Sequence, residues 1–178
     1  MKKIFYVLAL TAALGFSFNA AAKDRKMEER VQKTQELEFK KFGDKYVIRI
    51  NPGQPLVASL KNFCTGKKIH FATISGIGSL QSVTLGFFNP KTKEYQQKTF
   101  KEPLEMASLT GNITTKDGEV IIHPHTVVAG DNYKALAGHM VEAEVSLTAE
   151  IIIEPIKGTL VKSFDAQTGL NLFDFHQK

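Results

Sequence analysis

The sequence predicts a single β-rich domain of the α/β (α+β) class, with one or two helices beside a sheet. Three observations favour this class. The chain has 178 residues, of which 43% are hydrophobic and 23% charged, as in one globular domain with a continuous core. Most segments after residue 44 combine β-branched and aromatic residues with turn signals at their ends. One segment, residues 55–64, instead places apolar side chains at helical spacing.

The first 22 residues have the three parts of a secretory signal peptide. Lys2 and Lys3 form a basic start, residues 4–18 are mainly apolar, and small residues precede a cut after Ala22. The apolar run is shorter than the ~20 residues of a membrane span. We therefore expect export to the periplasm or the extracellular space, with no membrane anchor on the mature chain.

Residues 23–41 are expected to form a charged linker or a surface helix, because Lys and Glu alternate there among few large apolar residues. The folded domain is then expected to span residues 42–178. Loss of the signal peptide, which carries Lys2, Lys3 and no acidic residue, lowers the net charge from +5 to +3. That excess is too weak by itself to indicate a nucleic-acid partner.

The domain begins with a predicted strand over residues 45–50, a turn at residues 51–53 and the helix of residues 55–64. Leu56, Leu60 and Phe63 mark the inner face of this helix. Cys64 is the only cysteine of the chain and has no internal disulfide partner. We expect it to be buried on that face rather than to act as a reactive thiol.

The rest of the chain predicts strands. Residues 70–75 predict a buried strand that ends in a sharp bend at Gly76 and Gly78, and His70 is expected to be a buried, hydrogen-bonded histidine. Pro124 indicates an edge position or a bulge in its strand. Residues 160–175 predict a last strand and an apolar C-terminal tail. The remaining strands are predicted over residues 82–88, 93–100, 104–113, 119–128 and 145–154, the first two as a hairpin.

Three histidines form the strongest candidate site. His123 and His125 are two residues apart in a predicted strand, so their side chains share a face with about 6.5–7 Å between their backbones. His139 follows Gly138 beyond a turn that can bring it alongside. Three imidazoles around an open fourth position are typical of zinc or a related divalent ion. The alternative is that some of the three are ordinary polar strand residues.

Acidic residues supply candidates for a fourth metal ligand or a general base, although exposed strand charges are the default explanation for them. No catalytic residue is assigned, because Ser75 lacks the Gly-x-Ser-x-Gly spacing and the chain has no glycine-rich phosphate loop. The acidic candidates are Glu105, Glu142, Glu144 and Glu150.

Six short pieces occur in one order over about residues 44–158 and together resemble the plants-and-prokaryotes-conserved (PPC) domain. Each piece is weak alone, but six in register make a fairly specific signal. They are residues 74–79 (ISGIGS), 83–88 (VTLGFF), 109–111 (LTG), 123–125 (HPH), 138–141 (GHMV) and 148–152 (TAEII).

The resemblance implies a compact α/β domain with a mainly antiparallel sheet, assembled as a homotrimer. The His-x-His and Gly-His pieces match positions that form a metal-like cluster in some prokaryotic members. By this likeness His123, His125 and His139 are the expected ligands of a divalent metal, with zinc as the expected ion. The family often has Gly-Gly-His where this chain has Ala137, Gly138 and His139, a small departure.

The family is widely labelled DNA-binding, because plant members bind AT-rich DNA through a separate Arg-Gly-Arg-Pro hook. This sequence has no such hook, and predicted export places it away from the chromosome, so we expect no nucleic-acid partner. The interpretation favoured here is an exported trimeric binding module with a metal or small-ligand site. Two alternatives stay open: a DNA-binding protein, and an enzyme using metal-bound water with a glutamate base.

Overall fold

Alternating apolar side chains place most of this chain in one antiparallel sheet. The computed structural model describes residues 37–176, in which nine strands and one helix are formed. The helix, α1, spans Leu56–Lys67. The strands are β1 (Glu38–Phe42), β2 (Lys45–Ile50), β3 (Ala72–Asn89), β4 (Glu94–Phe100), β5 (Leu104–Lys116), β6 (Glu119–Ala129), β7 (Ala135–Pro155), β8 (Val161–Asp165) and β9 (Leu170–Asp174).

Strand pairing gives the order β1-β2-β7-β3-β5-β8-β9, with β4 beside β3 and β6 between β5 and β7. Strands β3, β5, β6 and β7 therefore pair in a closed cycle. All ladders are antiparallel apart from a short parallel contact between β5 and β8, at Thr115 and Val161. The predicted α/β class with a mainly antiparallel sheet is confirmed, as is the hairpin of β3 and β4.

Helix α1 covers the face of the sheet that carries the core. Its residues Leu56, Leu60 and Cys64 are completely buried, as the helical spacing predicts. Burial raises the pKa of the Cys64 thiol to about 12, so the side chain behaves as a small apolar group. Among residues 37–176, no helix is long and apolar enough to span a membrane.

The domain begins earlier than the sequence predicts. Strand β1 starts at Glu38, so the end of the predicted linker at residue 41 and the predicted domain start at residue 42 are both too late. Phe39 packs against the rings of Tyr46 and Phe63, with centroids 6.1 and 5.0 Å away, while Glu38 pairs with Arg49 at 2.6 Å. Every residue of β1 is exposed, which explains why no alternating pattern marked it. The predicted signal peptide and most of the predicted linker lie outside the described residues.

Strand β3 does not end at its glycines. It runs unbroken for 18 residues through Gly76 and Gly78, where its register with β5 shifts. At Gly78 a Cβ atom would lie 2.6 Å from the carbonyl oxygen of Thr148, so glycine allows β3 to approach β7 closely. His70 precedes β3 and is exposed, so the expectation of a buried histidine was wrong.

Candidate metal centre

The sheet brings the three predicted histidines together. His123 and His125 lie on one face of β6, and His139 of β7 is paired directly with His125. The ring centroids are 5.2 Å apart for His123 and His125, 5.0 Å for His123 and His139, and 5.4 Å for His125 and His139. Each ring offers one nitrogen, and these nitrogens lie within 4.8 Å of one another. The cluster spans two adjacent strands, so backbone hydrogen bonds fix its spacing.

Pro124 leaves the strand face of the two neighbouring histidines intact. The register from Asn112–His123 through Gly111–Pro124 to Thr110–His125 is continuous, so no bulge turns either ring away. Pro124 is one residue before the pairing with β7 begins, where β6 has a single strand neighbour. A Cβ atom on Gly111 would collide with the carbonyl oxygen of His123 and lie 2.8 Å from Cα of Pro124. Glycine at 111 therefore lets β5 and β6 meet at the cluster.

The electrostatic surroundings keep two of the rings neutral. Burial, followed by the charge of Lys162 and the neighbouring histidines, lowers the pKa of His123 from 6.5 to about 4. Burial, the charge of His125 and that of Lys162 also lower the pKa of His139. An uncharged imidazole is the form that binds a metal, so both rings have the charge that metal binding needs at neutral pH.

Lys162 of β8 is the cation next to this cluster. Its side chain is buried, with 9% exposed, and its Nζ lies 3.2 Å from Nδ1 of His123. A protonated Lys162 donates to Nδ1, which leaves the ring proton of a neutral His123 on Nε2. Neither nitrogen is then free to bind a metal. While Lys162 is protonated, metal binding by His123 requires its amine to turn to another acceptor; burial lowers the pKa of Lys162, and a neutral amine would instead accept from Nδ1–H and leave Nε2 for the metal.

The donor set fits a divalent transition metal. Zinc–nitrogen bonds of about 2.0–2.1 Å at tetrahedral angles put ligand nitrogens about 3.3 Å apart, so small side-chain rotations would close the cluster. Three neutral nitrogens suit zinc, copper, iron or nickel and do not suit the oxygen-seeking Mg²⁺ or Ca²⁺. Three protein ligands leave a position open for another group.

The acidic candidates lie elsewhere. Within the described residues, the metal-ligand group contains the three histidines and no carboxylate. The carboxylate of Glu142 accepts hydrogen bonds from the backbone N–H groups of Val57 and Ala58, at 2.7 and 3.0 Å, and so caps α1. Glu105 and Glu150 border a different cleft. Glu144 is paired with Ser82 on β3.

The histidines line one side of a cleft of about 580 Å³. Its walls are mainly apolar, and its floor contains Gly86, over which the ring of Tyr95 lies. Tyr95 also meets His139 edge-on, with ring centroids 5.9 Å apart. The other apolar lining residues are Phe87, Phe88, Ile121, Ile122, Leu170 and Leu172.

Comparison with protein families identifies the domain that carries this cleft. The family described as the Plants and Prokaryotes Conserved (PCC) domain, called PPC above, matches residues 37–157. The chain belongs to this family. The predicted membership is thereby confirmed over more than half of the sequence. No curated protein matches the chain.

Solved structures agree with the PPC assignment. A protein from Bacteroides thetaiotaomicron, described as a candidate DNA-binding protein, is 39% identical, with a TM-score of 0.78 over 79% of this chain and 99% of that one. A metal-containing protein from Archaeoglobus fulgidus is 36% identical, with a TM-score of 0.70 over 78% and 97% of the two chains. A PPC protein from Pyrococcus horikoshii is 31% identical, with a TM-score of 0.69 over 80% and 97%.

Two residues of the candidate site were missed by sequence reasoning. Tyr95 lies in the polar strand β4, where its neighbours gave no hint of a cleft. Lys162 lies in the apolar C-terminal stretch that was interpreted as a tail. The available signal was a single lysine among Leu160, Val161 and Phe164, since a charge within an apolar segment often marks a site.

Proposed function

We propose that this chain is an exported, homotrimeric PPC-domain binding protein that holds one divalent metal, zinc, on His123, His125 and His139. The observation that carries the proposal is the convergence of three histidine nitrogens within 4.8 Å at the edge of a cleft. A metal held by these three nitrogens would have a further position for a small ligand from that cleft. Zinc there supplies a Lewis acid, and the protein supplies the shape and polarity around it.

The lining of the cleft supports a binding role over an enzymatic one. Among residues 37–176, the residues that border the cleft include no Asp or Glu, so no carboxylate is placed to act as a base beside the metal. The similar protein from Archaeoglobus fulgidus is called metal-containing, which agrees with a metal role for this cluster. A base from another copy of the chain would bring the enzymatic alternative back.

The metal proposal is tested by zinc titration of the metal-free protein, followed by calorimetry and elemental analysis. We expect one zinc per chain. Zinc affinity should fall in each of the variants His123→Ala, His125→Ala and His139→Ala by more than the 10–100-fold loss that follows removal of an outer-shell partner. The matched control is His176→Ala, since His176 is exposed and outside the cluster. Equal zinc binding by all four variants would refute the assignment.

Self-association is supported by exposed apolar side chains on the sheet. Ile77 and Leu147, at the cleft that also includes Glu105 and Glu150, are 57% and 73% exposed. Contact with another copy would remove these surfaces from water. Light scattering should give three times the mass of the mature chain at micromolar concentration, and Leu147→Glu should shift that mass towards a monomer. A monomeric wild-type protein contradicts the trimer.

Export is proposed from the signal-peptide pattern of residues 1–22. N-terminal sequencing of protein expressed with its full sequence in a bacterium should begin at Lys23 and should recover it from the periplasm or medium. The matched control is a variant with Leu8→Arg and Leu10→Arg, which breaks the apolar run and should keep the chain uncut in the cytoplasm. An intact Met1 on the wild-type protein would overturn this part of the proposal.

A further inference from the structure

The C-terminal hairpin of β8 and β9 builds one wall of the metal site. It follows residue 157, where the family match ends. It is held to the domain by a hydrogen bond from the N–H of Thr115 to the carbonyl oxygen of Leu160, at 3.1 Å, and by Lys93, whose Nζ donates to the carbonyl oxygen of Ala166 at 3.2 Å. The hairpin contributes Lys162, Leu170, Asn171 and Leu172 to the cleft.

Charge in this cleft is positive. Lys162 has no carboxylate partner within residues 37–176, and its Nζ lies 3.2 Å from His123 and 5.3 Å above the ring of Phe173. The second lysine at the cleft, Lys116, pairs with Asp117 at 3.1 Å. A buried ammonium with an imidazole and a ring as its neighbours is poorly solvated, and an anion is the partner that satisfies it best.

The cleft walls select the kind of anion. Phe88, Leu170 and Leu172 line the same cleft as Lys162, with Phe88 on the strand face that carries His139, and the volume of about 580 Å³ falls within the range of about 300–1,000 Å³ for small-molecule sites. A dianion such as phosphate would lose much hydration here and would find one unpaired lysine. A carboxylate carries a single charge, and an attached hydrocarbon chain would bury apolar surface against these walls.

The contact between Lys162 and His123 links such an anion to the metal. A protonated Lys162 must leave Nδ1 of His123 before that ring can bind a metal, and a carboxylate in the cleft gives its ammonium a better acceptor. The two ligands should therefore bind with positive cooperativity. Linkage requires the effect to be reciprocal, so each ligand raises the affinity of the other by the same factor.

We propose that this site binds a small monocarboxylate with an apolar chain, whose carboxylate pairs with Lys162 and whose chain lies against Phe88, Leu170 and Leu172. The inference rests on the proposed function for the metal that fills the histidine cluster. The pairing of Lys162 with the carboxylate depends on this chain alone, so it is measurable with and without metal.

The test is calorimetry with butyrate as the probe, on the full mature chain, with zinc content measured on the same samples. Wild-type protein should bind butyrate more tightly than acetate or inorganic phosphate, and 1-butanol should not bind. Lys162→Met should weaken butyrate binding about tenfold or more, which is the effect of losing one hydrogen bond to a charged group. Lys162→Arg should keep most of the binding, and Lys134→Met is the matched exposed control.

Two further readouts separate a ligand contact from a merely structural role. Leu172→Ala should weaken butyrate binding and leave the affinity for acetate nearly unchanged, because only butyrate has a chain long enough to reach the apolar wall. Lys162→Met should bind zinc at least as tightly as the wild type, since a cation next to a metal ligand is removed. Butyrate should raise the zinc affinity of wild-type protein and should have no such effect in Lys162→Met.

Each outcome decides between the two proposals. Zinc binding at one per chain with butyrate affinity unchanged in Lys162→Met overturns the carboxylate inference and leaves the metal site standing. Failure of the wild type to bind zinc overturns the proposed function. In that case the metal-free titration still decides: butyrate binding that is lost in Lys162→Met supports the inference, and no butyrate binding overturns it. Equal affinity for butyrate, acetate and phosphate also overturns it.

Discussion

Acidification should destabilise the metal-free protein through His123. Its pKa falls from 6.5 to about 4 on folding, mainly because of burial and then because of Lys162. Above pH 6.5 neither the folded nor the unfolded state binds the proton, so the ring adds nothing to the pH dependence. Between pH 6.5 and 4 the unfolded state binds it and the folded state does not, so the free energy of unfolding decreases as the pH falls.

The size of this effect follows from the same interval. At 1.36 kcal/mol per pH unit, the interval from 6.5 to about 4 sets an upper limit of about 3.4 kcal/mol. His123 is only half-buried, and solvent screening reduces the expected loss to about 1–2 kcal/mol. Burial also lowers the pKa of His139, which adds a loss of the same sign.

Urea denaturation at several pH values between 7.5 and 4.5 measures the effect in metal-free protein. The wild type should lose about 1–2 kcal/mol more than His123→Asn, which cannot titrate at this position. His176→Asn, a change at an exposed residue outside the cluster, should keep the wild-type dependence. If His123→Asn and the wild type lose stability in parallel, burial does not hold His123 neutral and the reasoning is refuted.

The remaining predictions concern the scaffold and the partners. Gly111→Ala should destabilise the protein by about 1–3 kcal/mol and weaken zinc binding, because the new Cβ would meet the backbone of His123. Gly66→Ala, in the open part of α1, should instead stabilise the protein by up to about 1 kcal/mol. Equal urea midpoints for the two variants would contradict this prediction. Glu142→Ala should cost about 1 kcal/mol by uncapping α1, measured by thermal melting, and an unchanged melting temperature would count against the cap. Cys64 should react with a thiol reagent only on unfolding; rapid labelling of native protein would show that it is accessible. A gel shift at physiological salt should show at most weak, salt-sensitive DNA binding without sequence preference, and tight AT-specific binding would restore the DNA-binding alternative.

The sequence predicted the parts of the fold in which one side chain pattern dominates. The alternation over residues 145–154 became the central part of β7, and Leu56 and Leu60 marked the buried face of α1. The predicted strand end at Gly76 and Gly78 was wrong, because glycine has a different role at these positions from the one that the local sequence suggests. Gly76 and Gly78 suggested a bend because glycine permits one, but here it serves close strand approach. That distinction depends on the distance to Thr148, some 70 residues away in the chain, which local spacing does not contain.

The candidate site likewise contains residues that local spacing predicts and residues whose role depends on the tertiary structure. His123 and His125 were predictable because two residues at a spacing of two share a strand face whatever the tertiary structure. His139 was a weaker candidate from the turn before it, and the family pattern strengthened it, because its pairing with His125 depends on the register of β6 and β7. The role of Glu142 as a helix cap was not predictable, since Val57 and Ala58 lie about 85 positions earlier in the chain. A surface glutamate and a capping glutamate look alike in one sequence.

The position in the sheet of each residue of the site determines how a substitution there affects the rest of the site. The histidines sit on β6 and β7, inside the closed cycle of β3, β5, β6 and β7, where altering one strand disturbs its neighbours. Lys162 and Leu172 sit on a hairpin at the end of the sheet order, whose only strand pairing to the rest of the described sheet is through β8. Substitutions in that hairpin should alter the ligand while leaving the histidine geometry in place, because sites on peripheral segments vary without cost to the core. The histidine geometry and the lining that selects the ligand therefore change through different substitutions, while the contact between Lys162 and His123 couples the two affinities, and the zinc and butyrate titrations of Lys162→Met and His123→Ala measure both.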